Sequence, residues 1–169
     1  MSAQGPVVLV GLPGAGKSKV GRLLAERLGV DHIDTDALVV ERAGRSIADI
    51  FATDGEAAFR VMETEAVAEA LMHEAVVSLG GGAAATPAVR NLLSGRTVVY
   101  IDAPHDELVR RTASKNHRPL LAQDPSGTLA RLRTEREPDY RAVATIVVES
   151  GPGPVDDVVT AIAQQLEHA

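Results

Sequence analysis

Cysteine and tryptophan are both absent from this 169-residue chain, and its aromatic side chains are only Phe51, Phe59, Tyr100 and Tyr140. Without cysteine there is no disulfide framework and no thiolate chemistry. So few aromatics leave no stacking platform for single-stranded bases, and a net charge of −6 opposes nonspecific attraction to nucleic acid. Lysine is scarce too, confined to Lys17, Lys19 and Lys115. Positive charge is therefore carried mainly by arginine, which grips carboxylates and phosphates bidentately. No apolar run approaches the roughly 20 residues of a membrane span, and no basic segment followed by an apolar one opens the chain. No nucleic-acid or membrane partner is expected, and the expected location is cytoplasmic. The histidines His32, His73, His105, His117 and His168 show no metal-ligand spacing and read as surface or capping residues. What remains is a 45% hydrophobic composition built from Val, Leu, Ile and Ala, enough for one domain over residues 1–169 and suited to a helix-covered parallel sheet.

Hydrophobic periodicity and breakers place the elements. Val7–Val10 reads as a first strand and Lys17–Leu28 as a helix stopped by Gly29. A short extended piece at 32–34 is followed by helices at 36–43, Ile47–Thr53 and 56–74. Ser46 with Asp49 forms a capping-box start for the middle one. Residues 76–79 read as a strand, 87–93 as a helix behind Thr86-Pro87, and Thr97–Asp102 as a strong strand. Helices at 104–112 and 126–137, a strand at 145–149 and a closing helix at Val155–Glu167 complete the pattern. Alternating strands and helices imply a three-layer αβα domain with a parallel sheet, whose ligands gather at the carboxyl ends of the strands.

At that edge stands Gly11-Leu12-Pro13-Gly14-Ala15-Gly16-Lys17-Ser18, between a strand and a helix. This is the context of a phosphate-binding P-loop (11–18). Backbone N–H groups of Gly14, Ala15 and Gly16 would meet phosphate oxygens, Lys17 would reach the β- and γ-phosphates, and Ser18 would ligate magnesium. ATP with Mg2+ is the expected pairing. Asp34 and Asp36, read as strand neighbours on one side, divide between magnesium and a substrate hydroxyl, or else cap the next helix. Arg60 has Glu56 and Glu63 at helical contact spacing, so a surface ion-pair ladder is its plain explanation. Gly80, Gly81 and Gly82 directly after a strand favour close substrate contact over a simple tight turn. The structureless 113–124 segment reads as a lid, in which Arg118 could close on the transferring phosphoryl group.

Taken together, the P-loop, Asp34-Thr35-Asp36, the run 44–51, Gly55-Glu56 with Phe59-Arg60, the run 78–82, Arg118-Pro119-Leu120-Leu121, and Arg136 with Tyr140-Arg141 resemble the shikimate kinase family over nearly the whole chain. The resemblance implies a nucleoside-monophosphate-kinase-like sheet of order 2-3-1-4-5 and phosphoryl transfer from ATP to the 3-hydroxyl of shikimate by a monomer. It implies Asp36 as proton acceptor, Arg60 and Arg136 as a carboxylate clamp, and Gly80, Gly81 and Gly82 against the ring hydroxyls, within a substrate-binding region at 34–62. Lys17 and Arg118 would hold the phosphates, Asp34 would act on magnesium through water, and Arg111 and Pro154 would flank adenine. A gluconate kinase or a nucleotide-dependent switch are the alternatives. Three positions depart from the family pattern: Lys19 beside the P-loop serine, where it adds charge near the phosphates or points to solvent, Asp139 before Tyr140, and the uncharged loop 151–154.

Overall fold

The computed structural model describes residues 5–113 and 124–168. The elements are β1 (Val7–Val10), α1 (Lys17–Leu28), β2 (Asp31–Asp34), α2 (Thr35–Ala43), α3 (Ile47–Thr53), α4 (Glu56–Ala70), β3 (Ala75–Ser78), a 3-10 turn at Ala83–Ala85, α5 (Pro87–Leu93), β4 (Thr97–Asp102), α6 (His105–Ala113), α7 (Pro125–Val143), β5 (Ile146–Glu149) and α8 (Val155–Glu167). The strands form one sheet in the order β2-β3-β1-β4-β5, all neighbours parallel. Every residue of β1 and β3 is buried, which requires cover on both faces. α1 and α8 pack together, over β3 and β5, while α7 packs on β4.

Register brings the functional segments to one edge. Leu9 pairs with Ser78, Asp34 with Ser78, and Val10 with Tyr100. The P-loop, the start of α2 and Gly80–82 therefore leave the sheet side by side. Beyond the main core, Val39, Ile50, Phe59 and Ala66 form a second hydrophobic cluster, joined by Leu38, Ile47 and Met62. It gives α2, α3 and α4 a small core of their own.

Several boundaries differ from the sequence expectation. α4 ends at Ala70 rather than at Glu74: Leu71 turns into the core, 4% exposed, and Arg96 Nη1 donates to its carbonyl, so the chain reverses into β3. α7 runs on to Val143 through Pro138. Pro138 removes one backbone donor, but Tyr140 beyond it is held by stacking on Tyr100, with ring centroids 5.3 Å apart. Of the capping box, only the Ser46 half forms: its hydroxyl accepts from the Asp49 N–H at 3.1 Å. Among the described residues, no helix is long and apolar enough to cross a membrane.

Candidate active site

The turn from β1 into α1 needs left-handed backbone at Gly14 (φ 88°) and Gly16 (φ 96°), a conformation that L side chains resist. Lys17 Nζ donates to the carbonyls of Gly11 (2.7 Å) and Leu12 (3.1 Å), so its ammonium lies back across the loop. The guanidinium of Arg111 braces the loop from behind. Its Nη1 donates to Gly14 O and Ala15 O, its Nη2 to Ser150 Oγ and Gly151 O, and its Nε to Glu107 Oε1. In the trans peptide that joins Ala15 to Gly16, a carbonyl turned to Arg111 sends the Gly16 N–H to the opposite side. A cavity of about 410 Å³ lies here, lined by Gly14, Ala15, Gly16, Lys17, Ser18 and Lys19 on one wall and by Arg110, Arg111, Pro152, Gly153 and Val155 on others. Lys19 is exposed along this cavity. Pro154 is instead the N-cap of α8.

Asp34 and Asp36 are not strand neighbours. Asp34 ends β2 and caps α2, its Oδ1 accepting from the N–H groups of Asp36 (3.0 Å) and Ala37 (3.2 Å). Its Oδ2 accepts from Ser18 Oγ at 2.9 Å. Capping and the link to the P-loop serine are thus both true, one for each oxygen. Asp36 lies in the first turn of α2. Burial above all, and then the Asp34 charge, push its carboxyl above the ordinary aspartate value, against Lys17 and Arg60. The rise suits a proton acceptor. Ser18 and Asp34 present two hard oxygens close together, a donor set that fits magnesium carried in with phosphates. Among the described residues, no group of three or more His, Cys, Asp or Glu could hold a metal by itself.

The glycine triplet receives three side chains from three directions. A Cβ on Gly80 would lie 2.6 Å from Asp36 Oδ1, one on Gly81 2.9 Å from Arg136 Nη1, and one on Gly82 2.5 Å from Arg60 Nη2. Asp36 from α2, Arg60 from α4 and Arg136 from α7 therefore converge on consecutive residues of one loop. Arg60 is no mere surface rung. It donates to Glu63 Oε1 at 2.8 Å, and Glu63 is only 1% exposed; its contact with exposed Glu56 is longer, 3.5 Å. Burial pushes the Glu63 carboxyl up, while Arg60 holds it back. The Tyr140 hydroxyl donates to Gly81 O; burial above all pushes it up to about 12, with Arg136 opposing, so it stays a donor at neutral pH.

The family model described as shikimate kinase matches residues 13–167. The chain belongs to the shikimate kinase family. The shikimate kinase of Mycobacterium ulcerans (strain Agy99) is 51% identical over 162 residues, covering 95% of this chain and 88% of that one. That of Thermobifida fusca (strain YX) is 45% identical over 170 residues, covering 100% and 99%. Among solved structures, shikimate kinase from Acinetobacter baumannii in complex with shikimate superposes with a TM-score of 0.92 at 35% identity, over 99% of this chain and 95% of that one. Shikimate kinases use ATP as co-substrate.

In this shikimate kinase family member, two of the three departures find partners. Asp139 pairs with Arg90 at 3.4 Å, and Arg90 also donates to Ala84 O, tying α7 to the turn behind the triplet. The uncharged loop 151–154 is anchored by Arg111 through Gly151. Arg118 lies outside the described residues, as does the expected lid except for its ends. Sequence reasoning passed over Glu107, which accepts from both Arg110 and Arg111, although its spacing of three and four residues from them was a signal. It named Ser78 only as part of the run 78–82 and gave it no contacts; its hydroxyl meets His32 Nε2 (2.9 Å) and donates to Lys17 O (3.0 Å), and nothing in a lone strand serine announces that.

Proposed function

We propose that this chain transfers the γ-phosphoryl group of ATP to the 3-hydroxyl of shikimate, as a cytoplasmic monomer. The observation that carries the reading is the convergence of Asp36, Arg60 and Arg136 on Gly80–82, on the sheet edge that also holds the P-loop. Two guanidiniums suit a carboxylate, and a carboxylate with a raised pKa suits a reacting hydroxyl. Shikimate carries both groups.

In this mechanism Arg60 and Arg136 hold the acid's carboxylate and so fix the ring against the triplet, whose backbone meets the ring hydroxyls. Asp36 accepts the proton of the 3-hydroxyl as its oxygen bonds to the γ-phosphorus, and the bond from that phosphorus to the β–γ bridging oxygen breaks with its electron pair left on ADP. Lys17 and the N–H groups of Gly14, Ala15 and Gly16 neutralise the phosphate oxygens, which carry most of the charge in a loose transition state. Magnesium, when it enters with ATP, adds to that neutralisation. Ser18 would hold it directly and Asp34 through water. Arg111 flanks the adenine, with Lys19, Pro152, Gly153 and Val155 completing the nucleotide site. Arg118, which lies outside the described residues, would add its charge at the phosphates.

ATP turnover should rise sharply when shikimate is added, since acceptor binding assembles the site and excludes water. A coupled assay across shikimate, gluconate and nucleoside monophosphates tests this. Greater stimulation by gluconate or a nucleotide would replace the acceptor, and steady ATP hydrolysis without acceptor would favour a switch.

Base selectivity should be weak. The Arg111 guanidinium is engaged with Glu107, the P-loop, the Ser150 hydroxyl and the Gly151 carbonyl, and the opposite wall offers Pro152, Gly153 and Val155. An apolar slot discriminates by only about 1–3 kcal/mol. GTP and ITP should therefore support the reaction with kcat/KM within about a hundredfold of ATP. Steady-state kinetics with the three nucleotides checks it, and ten-thousandfold discrimination, on the order reached by hydrogen-bonded readout, would overturn it.

A further inference from the structure

Glycine in a loop is usually explained by backbone conformation, and that explanation fails for Gly80, Gly81 and Gly82. None of them adopts the left-handed backbone seen at Gly14 or Gly16, and Gly82 sits at φ −98°, ψ −1°, the conformation of the third residue of a type I turn, which does not require glycine. The loop is also fixed. Gly80 O accepts from Ala83 N (3.1 Å), Gly82 O from Ala85 N (3.2 Å), and Gly81 O from the Tyr140 hydroxyl. With all three carbonyls bonded, the backbone resists displacement, so an added methyl group must instead push away the side chain it meets.

We propose that the three glycines are separate positioning residues, each leaving room for one functional group: Gly80 for the Asp36 carboxylate, Gly81 for the Arg136 guanidinium and Gly82 for the Arg60 guanidinium. The inference rests on the function proposed above and adds to it an ordered division of labour along one loop. Gly80 governs the chemical step, because the group it admits accepts the proton. Gly82 governs acceptor binding, because the group it admits holds the carboxylate. The closest atoms met at Gly81 and Gly82 are ends of flexible arginines, with the Pro13 ring at ordinary contact distance (3.4 Å) from Gly81, so alanine there moves a guanidinium without unfolding the loop. At Gly80 the methyl group meets the whole carboxylate, whose carbon lies 3.0 Å away, and only a turn of the Asp36 side chain relieves it.

The test is a kinetic split with a double-mutant control. A displacement of about 1 Å at a reacting group costs on the order of a hundredfold. Gly80→Ala should therefore lower kcat by about 10- to 100-fold, with the shikimate Kd nearly unchanged. Gly82→Ala should raise the shikimate Kd and KM by about tenfold or more, with the smaller effect on kcat and ATP affinity unchanged. In an Arg60→Ala background, Gly82→Ala should change shikimate Kd by less than about twofold, because the group it displaces is gone. Equal movement of kcat and KM in both glycine variants would overturn the proposal. So would a Gly82→Ala effect that persists without Arg60, or loss of the folded circular-dichroism spectrum in Gly82→Ala that Arg60→Ala does not restore. Absence of shikimate turnover in the unsubstituted chain would remove the functional reading itself, and this proposal with it. Normal turnover together with unsplit variants would remove only the division of labour.

Discussion

Asp36→Asn should lower kcat by about 10²- to 10⁴-fold and at the same time raise the melting temperature at pH 7. Both effects follow from one environment. Asparagine keeps the size of the side chain but has no basic oxygen for the hydroxyl proton. The native carboxyl is pushed above the ordinary aspartate value by burial first and by Asp34 second. Folding therefore raises its proton affinity. Its favourable contribution to stability is complete below the unfolded value of about 3.9 and is lost as the pH rises through the native value. At pH 7, above the unfolded value, a carboxyl with raised proton affinity costs the fold stability, and asparagine relieves that cost. The difference in melting temperature should shrink as the pH is lowered through the native value. Turnover and calorimetry across pH measure both halves. A rate within a few-fold of the parent would move the base elsewhere, and an unchanged melting temperature at pH 7 would remove the raised carboxyl.

Arg60→Ala should weaken shikimate binding by about 2–5 kcal/mol, roughly 30- to 5,000-fold in Kd, with ATP affinity little changed. It should also destabilise the protein, because Glu63, 1% exposed, loses the partner that holds its charge. Breaking a buried pair by removing one side costs about 3–5 kcal/mol. The double variant Arg60→Ala with Glu63→Gln should recover much of that stability and none of the shikimate affinity, which separates the two duties of the guanidinium. Calorimetric titration and thermal melts decide. Equal losses for ATP and shikimate would remove the clamp, and no gain from Glu63→Gln would mean that water or another cation already serves Glu63.

Much of the fold was legible because its signals are local. The strand–glycine–helix order around Lys17, the stop at Gly29 and the uninterrupted apolar run of β4 need no tertiary information, and the matching strands and helices stand where periodicity puts them. The departures occur where distant contacts outweigh local preference. Met72-His73-Glu74 would extend α4, but the burial of Leu71 turns the chain. The helix expected at 126–137 runs on through Pro138 because Tyr140 beyond it is anchored. In the site, residue types were legible and their geometry was not. Asp34 and Asp36 looked like alternating strand residues, whereas a helix begins between them. Arg60 with two glutamates looked like an ion-pair ladder, and only burial sets Glu63 apart from Glu56. The glycine triplet was recognised as a close approach, but the approaching groups are side chains separated from it by about 20 to 55 residues of sequence.

The two tyrosines of the chain, Tyr100 and Tyr140, touch each other, and there is no tryptophan to outshine them. Arg141 lies over the Tyr100 ring at 5.4 Å, and the Tyr140 hydroxyl is bonded to the loop on which the substrate groups converge. The tyrosine emission of the protein thus originates from one tilted pair at the edge of its site. A shift of the loop alters the hydrogen bond of one emitter, and through it the ring contact between the two, so the unlabelled protein carries its own optical gauge of what happens at Gly81.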